Sequence, residues 1–142
     1  MDSHLGSTVY RRKVENIKVL ETKAGVATLA GVIQNSIMHG SLSIRIDSAY
    51  CLKYLIDFAS PAAIKSEIIK ICGALIRVVN DKFTPDLKLQ IFMSLRLMLV
   101  KSAVMVKAMV AQLQTTFLKA FGDSQSNETV RQVVVESLLL LI

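Results

Sequence analysis

DLKLQIFMSLRLML, Asp86 to Leu99, has a counterpart on either side of it in the same chain. SIRIDSAYCLKYLI begins at Ser43 and TVRQVVVESLLLLI at Thr129, so the three copies start 43 residues apart. Under that shift Ile44-Arg45, Leu87-Lys88 and Val130-Arg131 coincide, as do Leu52, Leu95 and Leu138, followed by Ile56, Leu99 and Ile142. Each copy opens with an apolar and a basic residue and continues as an apolar stripe at helical spacing. The likeness is one of pattern, not of identity.

The intervening segments recur at the same interval: ETKAGVATLAGVIQNSI from Glu21, IKSEIIKICGALIRVVN from Ile64 and KAMVAQLQTTFLKAFGD from Lys107. Ile64, Ile68, Ile71, Leu75 and Val78 form one helical stripe; Met109, Leu113, Phe117 and Phe121 form another. Ser60-Pro61 and Thr84-Pro85 each pair a capping hydroxyl with a proline at the first helical position, where its missing N–H costs nothing. Gly40 and Gly122 fall where left-handed C-terminal caps are expected. No stretch alternates with period two over a useful length, so no sheet is expected.

A repeat of this length lies within the roughly 40 to 47 residues of HEAT and armadillo units, and two helices per unit favour HEAT. The expected fold is all-α: a right-handed HEAT-repeat solenoid of three antiparallel helix pairs, residues 21–63, 64–106 and 107–142, stacked over one continuous core. Residues 8–20 read as a basic lead-in helix or linker. Residues 1–7 read as a tag or disordered start in which Gly6-Ser7 resembles a cloning scar. The closing LLLLI has no polar capping helix, so a piece of a longer array, prone to self-association through uncapped ends, is expected.

Hydrophobic residues make up 52% of the 142 and mean hydropathy is +0.47, yet no uninterrupted apolar run reaches the about 18 residues that span a bilayer. The surplus apolar surface is expected to face protein. MDSHLGS lacks the basic end and apolar stretch of a signal peptide. Cys51 and Cys72 sit in apolar helical patterns without a second pair for zinc or redox chemistry, which reads as buried, reduced thiols in a cytoplasmic protein.

No nucleophile with a base, paired carboxylates or glycine-rich loop after a strand occurs, so neither an enzyme nor a cofactor, metal or small-molecule site is expected. His4 and His39 are isolated, and His39 suits the negative end of a helix dipole. Asp47 and Asp57 lie at nearly opposite phases of one helix and cannot act as a pair. The basic position repeated at Arg45, Lys88 and Arg131 resembles a HEAT ladder, with Asp81 placed to pair with Lys88 and Asp123 with Arg131. Between Ile37 and Arg45 no acid occupies the corresponding place.

The net charge of +6 and pI near 9.5 allow an acidic partner. The candidate contacts to ribosomal RNA or an acidic protein are the cluster Arg11, Arg12 and Lys13 with Arg45, Lys53, Arg77, Lys82 and Arg96 on otherwise apolar helices. From Ala108 to Leu118 the chain carries no charge yet includes Gln112, Gln114, Thr115 and Thr116. Flanking protein on both sides would suit such a helix, with Met109, Leu113 and Phe117 facing the hairpin partner and Gln112, Thr115 and Thr116 facing neighbouring repeats or a bound partner.

At GALIRVVNDKF, Gly73 to Phe83, and QLQTTFLKAFGDS, Gln112 to Ser124, the sequence resembles the family of general control nonderepressible 1 translational activators. The likeness rests on Gly73, Leu75-Ile76-Arg77, Asp81-Lys82-Phe83, Leu113 to Phe117, Lys119 and Asp123, within a span from about Gly25 to Ile142. Ala74 stands where the family more often has proline, Asn80 replaces a turn glycine, and VVVESLLLLI replaces an Ala-Ala-x-Ala-Leu-Gly pattern. The resemblance implies a scaffold that binds translating or collided ribosomes and passes an amino-acid-starvation signal to the kinase of the initiation factor. The repeat period alone fits a HEAT adaptor in nuclear transport or phosphatase assembly equally well, and the basic N-terminal segment fits an RNA-contacting module.

Overall fold

The computed structural model describes residues 18–79, 84–101, 103–123 and 127–141, with the side chain of Met105 left out. Among these the fold is all-α and HEAT-like, built from helical hairpins, and no helix is long and apolar enough to cross a membrane. The chain forms two compact units divided between Glu67 and Ile68.

In the first unit a 3-10 turn, Lys18–Glu21, leads into α1 (Lys23–His39), and two residues separate it from α2 (Leu42–Phe58). Val26, Ala30 and Ile37 from α1 bury against the unit's other core residues, which include Ala49, Leu52, Leu55 and Ile56 from α2. Thr22 caps α1 by accepting from the Gly25 N–H at 3.1 Å. The expected Ser60 cap is present: its Oγ accepts from the Ala63 N–H, with Pro61 first in the helix. That helix is a single turn, Pro61–Ile64, and the Glu67 N–H closes on the Ile64 carbonyl at 2.9 Å. Residues 65–67 are thus a turn with an i to i−3 bond, where an unbroken helix from Ile64 was expected.

The second unit begins with α3 (Ile68–Val79), followed by α4 (Pro85–Lys101). A one-turn helix, Ala103–Val106, and a 3-10 turn, Lys107–Met109, then precede α5 (Val110–Gly122) and α6 (Glu128–Leu140). The stripe Ile68, Ile71, Leu75 and Val78 is buried, as the spacing predicted. Helix α4 packs against α3 and also, extensively, against α6. Contact on two sides explains why Leu87, Ile91, Phe92, Leu95 and Met98 leave it with no single apolar face. Ser137 and Thr116 are buried and return their hydroxyls to Val133 and Gln112 carbonyls of their own helices.

The second helix of each hairpin starts at Leu42, Pro85 and Glu128, which preserves the 43-residue interval. Ser41, Thr84 and Asn127 cap them alike, each side-chain oxygen accepting from the N–H three residues on. A short helical segment also precedes every first helix, at Lys18–Glu21, Pro61–Ile64 and Ala103–Val106, which a plain two-helix unit does not anticipate.

The expected left-handed glycine caps are not formed: no described glycine has positive φ. Gly122 closes α5 as a helical residue, and Gly40 is extended at φ −76°. Gly40 is needed for room instead. A Cβ there would lie 2.6 Å from the Ser36 carbonyl oxygen and 2.8 Å from Ile44 Cγ2.

Candidate interaction surface

Two residues of the repeated basic position meet main-chain carbonyls at a helix C-terminus. Arg45 donates from Nε to the Gly40 carbonyl at 2.9 Å and from Nη2 to the Met38 carbonyl at 3.1 Å. The carbonyls at the end of α1, where a cation is favoured by the helix dipole, thus take up Arg45 at the place where the other hairpins carry an acid before the basic residue. Arg131 reaches the Asp123 carbonyl at 3.5 Å. The Asp123 carboxylate lies 3.4 Å from Lys88 Nζ, so it ties α4 to the following hairpin. Pairing of Asp81 with Lys88 lies outside the described residues.

The other candidates are dispersed. Lys53 sits 5.0 Å and 5.1 Å from the ring centroids of Tyr50 and Tyr54, within cation–π range. Arg96 is ion-paired with Glu136, whose other oxygen accepts from the Gln132 amide at 3.3 Å. Arg77 is exposed in the last turn of α3. Arg11, Arg12, Lys13 and Lys82 lie outside the described residues. The structure adds exposed bases that the sequence reading passed over: Lys70, two turns before Arg77 on the same helix, and Lys107 and Lys119 on the next hairpin. Their shared helix phase, at seven-residue spacing for Lys70 and Arg77, was the available signal.

A cleft of about 370 Å³ opens between α4 and α5, lined by Val79, Lys88, Phe92, Lys119, Gly122 and Asp123 among others. Among its described lining residues the carboxylate is that of Asp123, which is already beside Lys88. Among the described residues no group of three potential metal ligands comes together.

Helix α5 does not have protein on both sides in this unit. Leu113 and Phe117 are buried and Met109 is half-buried, whereas Gln112, Gln114 and Thr115 are exposed. Thr116 is buried rather than outward-facing. Leu118 is 60% exposed and Phe121, expected in the apolar stripe, is 48% exposed because it falls in the last turn of the helix. The uncharged stretch is therefore an open face, polar and apolar by turns.

Cys72 is buried and Cys51 half-buried, both as free thiols. Burial pushes each thiol up to about 11, with the negative charge of Asp47 adding to the effect at Cys51.

Comparison with known proteins finds no matching family model and no matching solved structure. The chain is similar to the stalled ribosome sensor GCN1 of Homo sapiens, 33% identical over 120 residues, which covers 84% of this chain and 4% of that protein. It is 34% identical over 118 residues to the eIF-2-alpha kinase activator GCN1 of Dictyostelium discoideum, covering 83% of this chain and 4% of the relative. The activator of the same name in Saccharomyces cerevisiae is 28% identical over 131 residues, covering 92% of this chain and 5% of the relative. The chain thus spans about a twentieth of the length of these relatives.

Proposed function

The chain is a GCN1-like segment, and from that premise we propose that it is a non-enzymatic HEAT-repeat scaffold piece of a ribosome-associated translational activator, coupling amino-acid starvation or stalled ribosomes to the initiation-factor kinase. The observation that carries this reading is the alignment of most of the chain with proteins named for stalled-ribosome sensing or for activating the eIF-2-alpha kinase. Hairpins with broad exposed faces suit a binding scaffold, since contacts spread over many side chains need no pocket. In this reading the protein works in the cytoplasm. Its exposed Lys70, Arg77, Lys107 and Lys119, with Arg11, Arg12 and Lys13, supply charge for ribosomal RNA phosphates.

A protein partner is favoured at one place. The exposed face of α5 offers Gln112, Thr115 and Leu118, with Lys119 as its single charge near the C-terminal end, which suits a protein surface better than a phosphate backbone. Kinase contact is assigned there.

Co-sedimentation of the purified chain with ribosomes at two salt concentrations tests the reading. Binding that weakens steeply with salt, and weakens further in an Arg11/Arg12/Lys13 charge-reversal variant or in Lys70→Glu/Arg77→Glu, is the expected result. Absence from the ribosome pellet at both salt concentrations would overturn the ribosome assignment and favour an adaptor of another system.

A further inference from the structure

Two of the chain's three tyrosines stand on α2 in a row with a phenylalanine: Tyr50, Tyr54 and Phe58, at four-residue steps. Residues four apart share one side of a helix, and all three rings are half-exposed. Tyr54 and Phe58 lie nearly parallel, with centroids 6.2 Å apart and an angle of 22° between the rings. A cation of the same helix sits over the row. Lys53 Nζ is 5.0 Å from the Tyr50 centroid and 5.1 Å from that of Tyr54, so one ammonium serves two ring faces.

The row lies away from the side on which hairpins stack. At the 43-residue interval its counterparts on α4 are Met93, Leu97 and Lys101, which stay half-exposed or exposed although α4 packs against both α3 and α6. The core of the first unit is supplied from the other side of α2, by Ala49, Leu52, Leu55 and Ile56. Packing therefore does not call for three aromatic rings at these positions.

Charge decides what such a face receives. The chain carries +6 overall, yet a carboxylate stands at each end of this row, Asp47 three residues before Tyr50 and Asp57 three residues after Tyr54. Against them is the ammonium of Lys53, while Arg45 of the same helix is held by the Gly40 and Met38 carbonyls. Ring faces and carboxylates both attract cations, and the carboxylates repel phosphate. A guanidinium suits the combination better than an ammonium. It is planar, stacks on aromatic faces, sheds its hydration more readily and meets a carboxylate with a fork of donors.

We infer that the Tyr50, Tyr54 and Phe58 row of α2 receives an arginine-rich segment of a partner protein. Its guanidinium groups take the ring faces that Lys53 covers and reach the carboxylates of Asp47 and Asp57. Lys53 is then an internal stand-in for the partner's cation, not a contact to phosphate. This fixes the sign of its effect: removing the tethered ammonium opens the rings and strengthens binding.

The test titrates the full chain with a fluorescein-labelled hexa-arginine peptide and reads anisotropy. The positive charge of the chain as a whole disfavours unspecific attachment of this probe. Saturable binding is expected, tighter by about threefold in Lys53→Gln and weaker by about five- to tenfold in Tyr50→Leu/Tyr54→Leu. Tyr50→Phe/Tyr54→Phe, which keeps both rings, should bind as the native chain does, and Asp57→Asn should bind more weakly. Failure of the peptide to bind even the Lys53→Gln chain would overturn the inference. Weaker binding in Lys53→Gln would do the same, since the lysine would then belong to a site for an acidic partner. Binding of oligouridine in place of hexa-arginine, lost in the double leucine variant, would make the row a platform for bases and also overturn it. None of these outcomes bears on ribosome binding through Lys70 and Arg77, which lie on α3 in the other unit.

Discussion

The rings of Phe92 and Phe117 meet 5.8 Å apart at a tilt of 41°, one from the second helix of a hairpin and one from the first helix of the next. Both are buried, so the pair joins two hairpins of the second unit through apolar contact where the neighbouring ion pairs are partly exposed. Phe117→Ala is expected to destabilise the fold by about 3 to 5 kcal/mol through lost transfer energy and the cavity left behind. Urea denaturation with the slope held constant measures it. Asp123→Asn, which removes the Lys88 pair, is expected to cost only about 0 to 1 kcal/mol.

Leu113 and Leu118 separate the two faces of α5. Leu113→Ala should cost about 2 to 5 kcal/mol, since its side chain is almost wholly buried. Leu118→Ala, on the open face, should stay within about 0.5 kcal/mol. A shared loss of stability in both variants would mean that the exposed face is packed in solution.

The hairpin spacing was legible because its signals are local. Ser41, Thr84 and Asn127 each cap three residues downstream, and the apolar stripes behind them keep helical phase. The ladder was only half legible. Asp123 stands eight residues before Arg131, so sequence spacing joined those two, but the carboxylate turns to Lys88, 35 residues away. Which neighbour an acid chooses depends on how the hairpins stack, and a one-dimensional interval does not hold that information. Arg45 is the complementary case: main-chain carbonyls are present in every sequence, so no interval between side chains announces the acceptors it finds at Gly40 and Met38. The outward turn of Phe121 was hidden for a similar reason, because the stripe of which it is the last member runs past the packed part of the helix.

Gly40 tests whether space or backbone freedom keeps a glycine between α1 and α2. Its φ of −76° is open to any residue. Gly40→Ala should nonetheless destabilise the first unit by about 1 to 3 kcal/mol, since the Ser36 carbonyl oxygen, being main chain, cannot yield to a new Cβ as a side chain could. Thermal denaturation followed by circular dichroism gives the comparison. An unchanged midpoint would show that the hairpin link relaxes to admit the methyl group.

Ser94 predicts an effect of opposite sign. Its hydroxyl and the Gln90 Oε1 atom are buried on α4 with no hydrogen-bond partner among the described residues. Ser94→Ala removes the desolvated hydroxyl and leaves no orphan behind, so stability should hold or rise by up to about 1 to 3 kcal/mol. A clear loss in the same denaturation experiment would reveal a partner for the hydroxyl, such as an ordered water.

The two thiols set an alkaline limit on stability. Burial raises Cys51 and Cys72 to about 11 from 9.0, so in the range between these values the unfolded chain loses its protons first. The native state then holds more protons than the unfolded state, and the linkage slope makes stability fall as pH rises. Below that window both states keep the thiols protonated and the two residues contribute no pH dependence. Other groups also titrate in alkali, so the measurement is a difference: urea midpoints of the chain and of a Cys51→Ala/Cys72→Ala variant at about pH 8 and about pH 10. The native chain should lose more stability between the two conditions than the variant does. Equal losses would mean that the thiols ionise as readily in the fold as out of it, which burial of Cys72 against the α3 core argues against.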